Sequence, residues 1–168
     1  MLPIVLDPAK LAVGLAGAGE GLARRRAMLE QAGVTPLPVA PDASESALTP
    51  LSVLFVAGLD LDRSARLAQL ARKAGVLVNV EDVPDLCDFH VPAAVRRGDL
   101  VVTVSTGGKA PGLSRILREW LEDRFSGEWT ARLDDLSAAR SGWREDDLSP
   151  SEVSQNTRDL VAKKGWLS

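Results

Sequence analysis

The stretch that decides the fold runs from residue 11 to residue 33, LAVGLAGAGEGLARRRAMLEQAG. A short apolar run, Leu11 to Ala16, breaks into glycines at Gly17, Gly19 and Gly21 and passes at once into a helical pattern. Leu22, Ala23, Met28, Leu29 and Ala32 recur at helical spacing, which puts Arg24, Arg25 and Arg26 toward the other face. Gly33 stands where a helix C-cap is expected, and Val34 to Val39 reads as the next strand. Strand, glycine turn, helix and strand with short connections predict a parallel pair joined by a right-handed crossover.

A second unit of the same kind follows. Leu51 to Ala57 and Val76 to Val80 are continuous apolar runs of the sort buried on both faces of a parallel sheet. Between them Asp60 and Asp62 mark a helix start, Leu61, Ala65, Leu67, Ala68, Leu70 and Ala71 form its stripe, and Gly75 ends it. Beyond residue 81 the rhythm changes. Phe89 to Val95 and Leu100 to Ser105 read as two strands around an Arg96–Asp99 turn, an antiparallel hairpin outside the parallel layout. Ile116, Leu117, Trp120 and Leu121 then mark a helix, and residues 126–168 read as helical and polar. There Ser149, Pro150 and Glu152 supply an N-cap, a first-turn proline and a capping-box acid.

Composition narrows the chemistry. The net charge of −3 argues against general nucleic-acid binding, which needs a basic surface to neutralise phosphates. The chain has no Tyr, so a Tyr–Lys proton-transfer pair is excluded, and its single His excludes a multi-histidine metal site. One cysteine, Cys87, excludes an internal disulfide and fits a reducing cytoplasm. There is no signal-peptide layout, and no apolar run approaches the roughly 18 residues of a membrane span.

The glycine loop points to a dinucleotide. Gly17 permits the tight turn, Gly19 lets the backbone approach a pyrophosphate, and Leu22 occupies the place of the third glycine in G-x-G-x-x-G. The helix that follows offers free N–H groups and a positive dipole end. Asp42, roughly twenty residues on, stands where a carboxylate accepts from ribose hydroxyls and disfavours a 2′-phosphate, which selects NAD. The simpler reading is that the glycines only turn the chain. A second glycine loop, Ser105 to Gly112, is no P-loop: Thr103 stands where the first glycine belongs, and Ala110 follows Lys109 where a Ser or Thr is needed.

Three stretches together resemble the precorrin-2 dehydrogenase family, the dehydrogenase–ferrochelatase module of siroheme synthases. They are GAGEGLARRRAMLEQAG, VNVEDVPDLCDFHVPAAVRRGDL and VVTVSTGGKAPGLSRILREWLE. The resemblance implies NAD-dependent oxidation of precorrin-2 to sirohydrochlorin, with Fe²⁺ insertion in some members, in a cytoplasmic homodimer with no nucleic-acid or membrane partner. It implies a Rossmann-type parallel sheet with a shortened third-strand region over residues 1–88. A strand-rich dimerisation and substrate region over 89–125 and a helical C-terminal segment over 126–168 complete the layout. By position, the catalytic aspartate falls on Asp82, which also becomes the candidate metal contact. The family's NAD contacts fall on Glu20, Gly21, Pro41 and Asp42, beside Gly17 and Gly19 of the glycine loop. Substrate contacts fall on Asn79, Ser105, Thr106, Gly107 and Lys109, and among Arg96, Arg97, Lys109, Arg115 and Arg118 some are expected to pair with the substrate's carboxylates. Read without the resemblance, Asp82 caps the turn before Pro84.

The chain departs from the family pattern in two places. Asp42 runs to Leu51 in a few residues, so a third strand and its helix are shortened or absent, and Gly58-Leu59 replaces an Ala-Thr beside the cofactor. These departures keep two alternatives open: a tetrapyrrole- or metal-binding homologue that has lost NAD, and a chelatase alone.

Overall fold

The structure, a computed structural model, describes residues 2–167. It divides between Val91 and Pro92 into two compact units.

The first unit is a four-stranded sheet with the order β2-β1-β3-β4, made of β1 (Val13–Gly17), β2 (Leu37–Val39), β3 (Val53–Ala57) and β4 (Leu77–Val80). Every pairing is parallel, as the apolar runs predict. Side chains alternate across it. Val13, Leu15, Val53 and Phe55 pack on one face with Leu29 of α1 (Gly19–Gln31). Ala16, Leu54 and Val56 pack on the other with Leu67, Ala68 and Ala71 of α3 (Leu61–Lys73). Asp60 caps α3, its carboxylate accepting from the Arg63 N–H at 2.8 Å.

The chain order reverses across β1, with β2 on one side and β3 on the other, so the crevice above the carboxyl ends of β1 and β3 is the topological switch point. No additional strand stands between β2 and β3. A single helical turn, α2 (Glu45–Leu48), buries Leu48 completely and hands the chain straight to β3.

Several boundaries differ from the sequence expectation, each for a physical reason. The strand expected over Val34–Val39 begins only at Leu37. Pro38 can stand inside it because β2 is a sheet edge, where a missing N–H is tolerated. Arg25 does not face away with Arg24 and Arg26. Its side chain is only 13 % exposed, and its guanidinium lies 5.5 Å from the centre of the Phe55 ring.

The strand expected from Phe89 begins at Ala93. Phe89 belongs instead to the first unit, edge-on to Phe55 at 5.4 Å.

In the second unit β5 (Ala93–Arg97) pairs antiparallel with β6 (Leu100–Val104). The turn is tighter than expected: Arg97 pairs with Leu100, leaving Gly98 and Asp99 as a two-residue loop with Gly98 at φ +58°. Three helices follow, α4 (Pro111–Arg124), α5 (Trp129–Glu145) and α6 (Pro150–Lys164). The capping box of α6 forms as read. Hydrogen bonds from Ser149 hold the Glu152 carboxyl below its ordinary pKa. Phe125, Trp129 and Trp166 pack in series, the first pair tilted and the second edge-on, with ring centres 5.2 and 6.4 Å apart. Among the described residues of this unit, Val95 is the single buried hydrophobic.

The stability of the first unit rests on β3, all five residues of which are buried. Leu54→Ala, at a fully enclosed site, is expected to cost about 3 kcal/mol. Urea unfolding followed by far-UV circular dichroism should show a lower midpoint with an unchanged slope.

Candidate dinucleotide and substrate site

The turn after β1 is shaped by three glycines that have no room for a side chain. A Cβ on Gly17 would stand 2.1 Å from the Ala57 carbonyl oxygen, the oxygen that accepts the Ala18 N–H at 3.1 Å. A Cβ on Gly58 would stand 2.2 Å from the Ala18 carbonyl oxygen. A Cβ on Gly21 would meet the Gly58 nitrogen at 2.9 Å and its Cα at 3.0 Å. The end of β3 is thereby pressed against the start of α1. Gly21 performs the close helix–strand packing that the motif assigns to its third glycine, one residue earlier than Leu22. Gly58 is therefore a working part of the loop, and Leu59 behind it packs against the core.

Gly19 is different. It sits at φ +58° with open space where its side chain would be. Ala18, at the N-cap of α1, offers no side-chain hydrogen bond, so the first-turn N–H groups of Gly19, Glu20 and Gly21 face outward uncapped. An open backbone and an uncapped positive helix end are what a dinucleotide pyrophosphate requires, so the residues present fit the cofactor. Glu20 is exposed at the same end.

Pro41 and Asp42 follow β2 in a turn closed by the Ala43 N–H donating to Ala40 at 3.0 Å. Arg66 of α3 holds that turn, its Nη2 donating to the carbonyls of Asp42 at 3.4 Å and Ala43 at 3.0 Å. The Asp42 carboxylate is exposed and carries no partner.

Asp82 lies just past the carboxyl end of β4, in a turn closed by Val83 N–H to Val80 carbonyl at 3.4 Å. It has φ +61°, one of two non-glycine residues with positive φ among those described. Such a conformation costs an Asp about 1 kcal/mol or more and persists only when the surroundings impose it. Those surroundings are visible. Cys87 Sγ accepts the Val80 N–H at 3.2 Å and donates to the Val80 carbonyl at 3.1 Å. Asp88 accepts the Val78 N–H at 2.9 Å and Arg72 Nε at 2.8 Å.

Asn79 is 6 % exposed, and its amide donates to the Phe89 carbonyl at 2.9 Å. It ties this loop down from within. The Asp82 carboxylate makes no hydrogen bond or ion pair, so it does not cap the turn. Sequence reasoning missed Cys87 and Arg66 as loop holders, because neither position carries a signal until the chain is folded.

In the second unit, Thr106 Oγ1 accepts the Ala110 N–H at 3.3 Å and lies 3.1 Å from Ser114 Oγ, pinning the start of α4. Ser105 Oγ accepts the Gly107 N–H at 3.3 Å, and Gly107 and Gly108 both have positive φ. Three of the expected counter-ions are already engaged. Arg97 donates to the carbonyls of Phe125 and Glu122 at 2.5 and 3.2 Å, Arg115 pairs with Glu119 at 2.9 Å, and Arg118 pairs with Glu122. Arg96 and Lys109 keep their charges free. Among the described residues no group of three or more His, Cys, Asp or Glu side chains stands together as a metal site.

The glycine geometry yields a contrast. Gly21→Ala drives a methyl into the Gly58 backbone and should destabilise the chain by about 2 kcal/mol. Gly19→Ala meets only the strain of a positive φ and should cost about 1 kcal/mol. Thermal unfolding of the two variants should rank them in that order.

Comparison with known proteins agrees with this geometry. A family model described as "Putative NAD(P)-binding" matches residues 4–93. A second, for the sirohaem biosynthesis protein central region, matches residues 97–124. A siroheme synthase of Tolumonas auensis is 33% identical over 182 aligned positions, which cover 89% of this chain and 39% of that protein. One from Methylococcus capsulatus is 36% identical over 143, covering 72% of this chain and 30% of that protein. The chain thus spans well under half the length of these relatives. The solved structure of SirC, a precorrin-2 dehydrogenase, superposes with a TM-score of 0.71 at 21% identity, covering 100% of this chain and 93% of that one. It has the same fold. Matched by a nicotinamide-dinucleotide model over more than half its length and by the sirohaem model beyond it, the chain belongs to the siroheme-synthase family of NAD(P)-binding proteins.

Proposed function

We propose that the chain oxidises precorrin-2 to sirohydrochlorin, with NAD as the hydride acceptor and Asp82 as the group that takes up the proton. The observation that carries this reading is the unpartnered Asp82 carboxylate, held in a strained turn at the carboxyl end of β4. Open α/β sheets place their ligands at those strand ends, and the glycine loop opens at the end of β1 in the same unit.

The reaction removes a hydride and a proton from the macrocycle. A dinucleotide, when bound, would supply the hydride acceptor, its pyrophosphate held by the backbone of Gly17, Gly19, Glu20 and Gly21. The carboxylate of Asp82 accepts the proton, a role open to it because no internal partner competes. Asn79, Cys87 and Asp88 keep it in place. Asp42 selects NAD: its free carboxylate accepts from the ribose hydroxyls and repels a 2′-phosphate. Arg96 and Lys109 pair with the substrate's carboxylates, while Ser105, Thr106 and Gly107 shape the turn that presents Lys109. Insertion of Fe²⁺ as a second substrate would draw on the same Asp82.

The protein acts as a homodimer in this reading. Leu113, Ile116, Leu117 and Trp120, spaced as one stripe of α4, are 37–62% exposed. A contiguous apolar stripe of that kind marks an interaction face, and residues 97–124 are the part matched by the sirohaem model. Ile116→Glu should shift the protein from dimer to monomer in sedimentation velocity. A wild-type protein that sediments as a monomer removes the dimer from the proposal.

Turnover is the direct test. Purified protein with precorrin-2 and NAD should produce the sirohydrochlorin spectrum and NADH absorbance together, with NADP a poor substitute. Asp82→Asn retains the turn, since Asn tolerates positive φ, and should lower turnover by about a hundredfold or more with NAD affinity unchanged. Absence of wild-type turnover under conditions where a control dehydrogenase works overturns the assignment.

A further inference from the structure

Glu81, between the catalytic candidate Asp82 and the end of β4, reaches the glycine loop with its side chain. Its Oε2 lies 2.8 Å from where a Cβ on Gly21 would be, so the carboxylate rests against the first turn of α1. Arg24 Nη2 and Arg25 Nη2 are the cations around it. The closest approaches are 3.6 Å from Arg24 and 3.8 Å from Arg25, and the Glu81 side chain is only 18% exposed. A carboxylate is thus lodged at the uncapped end of a helix that the reading above assigns to a pyrophosphate.

The contacts, at 3.6 and 3.8 Å, are close enough to neutralise charge and too long for hydrogen bonds, which are lost by about 3.6 Å. An ion pair without hydrogen bonds has no fixed geometry and exchanges readily for a better partner. A phosphate is such a partner, because guanidinium groups bind it through paired N–H donors. The two arginines do not need Glu81 to stay where they are. Arg25 lies over the Phe55 ring, and Arg24, 62% exposed, also reaches Glu20 at 3.9 Å.

We propose that Glu81 sets how tightly the chain holds its dinucleotide: its carboxylate is the resident counter-ion of Arg24 and Arg25, and it yields that place to the pyrophosphate. The inference rests on the glycine loop being the dinucleotide site. A carboxylate at that point repels the incoming phosphates, so each binding event must displace it, and its return favours release. Gly21 is the enabling residue, because any side chain there would exclude the carboxylate as well as Gly58.

The test is calorimetric titration of the full chain with NAD, ADP-ribose and adenosine. Glu81→Gln removes the charge and keeps the shape. Removing one like charge from the site should tighten NAD and ADP-ribose about tenfold, and leave adenosine, which has no phosphate, unchanged. Equal gains for NAD and ADP-ribose place the effect at the pyrophosphate. Unchanged or weaker NAD binding by Glu81→Gln overturns the proposal, as does a gain for NAD alone, which would put Glu81 at the nicotinamide end. Arg24→Gln, on an exposed side chain, supplies a second arm independent of how Glu81→Gln folds. It should weaken NAD and ADP-ribose alike by several-fold, and unchanged affinity overturns the role given to the arginines. If wild-type protein binds neither NAD nor ADP-ribose, it is the dinucleotide reading itself that fails, and the two failures are told apart.

Discussion

Everything at the functional end of the first unit depends on how closely the end of β3 approaches the turn between β1 and α1. The Ala57 carbonyl reaches into the space of the missing Gly17 side chain, and the Ala18 carbonyl into that of Gly58. The Gly58 backbone in turn fills the place of a side chain on Gly21. Backbone packed directly on backbone fixes where α1 begins and therefore where its free N–H groups point. With β1 and β3 registered from Val13–Val53 to Gly17–Ala57, a single hydrogen bond, Ala18 to Ala57, carries that register into the loop. Larger residues at these positions would push the helix start away from the strand ends. The anion-binding geometry would go with it.

That constraint also explains which parts of the molecule were legible in the sequence. Continuous apolar runs identify β1, β3 and β4, because strands buried on both faces have no polar side to show. Glycines at 17, 19 and 21 locate the loop, since positive φ and close approach leave a compositional mark. The same logic makes Gly58-Leu59 look like a loss, for the Thr hydroxyl missing at Leu59 is visible in sequence while the Ala18 carbonyl that needs the space at Gly58 is not. Arg25 was misplaced for a related reason. Helical periodicity counts an arginine as polar, and only the Phe55 ring beneath it and the Glu81 carboxylate beside it make an inward position favourable. Loop holders leave the faintest mark of all. Cys87 works through its Sγ contacts to the Val80 backbone, and the lone cysteine in a chain says nothing about which backbone atoms it will meet.

The loop around Asp82 shows how strain is supported. One residue at φ +61° could relax by rotating the turn, yet β4 on one side and the Cys87–Asp88 contacts on the other leave it nowhere to go. Asn79 adds a buried amide that ties the strand to Phe89, whose ring is itself packed on Phe55 of the central strand. The carboxylate is thus displayed by a scaffold that reaches from the core outward. None of the supporting groups donates a hydrogen bond to the Asp82 carboxylate. Its full accepting capacity remains for whatever binds above the strand ends.

The missing third strand, finally, has a mechanical consequence that the fold answers locally. A strand beyond β2 would pair with it and steady the Pro41–Asp42 turn; here β2 is the edge, only three residues long and interrupted by Pro38. Pro38 leaves a gap in the donors of that edge, which discourages pairing with another chain. The steadying is transferred to α3. Arg66 clasps the carbonyls of Asp42 and Ala43, and Lys73, near the other end of the same helix, pairs with Glu45 of α2 at 2.6 Å. Two long cations from a helix packed on the core substitute for a strand's ladder. Arg66 grips the backbone of the turn, Lys73 holds the carboxylate of α2, and both leave the Asp42 carboxylate outside the grip. The shortened connection is therefore compatible with a cofactor-selecting acid, because what that acid needs from its surroundings is a fixed backbone and a free side chain, and α3 provides the first without consuming the second.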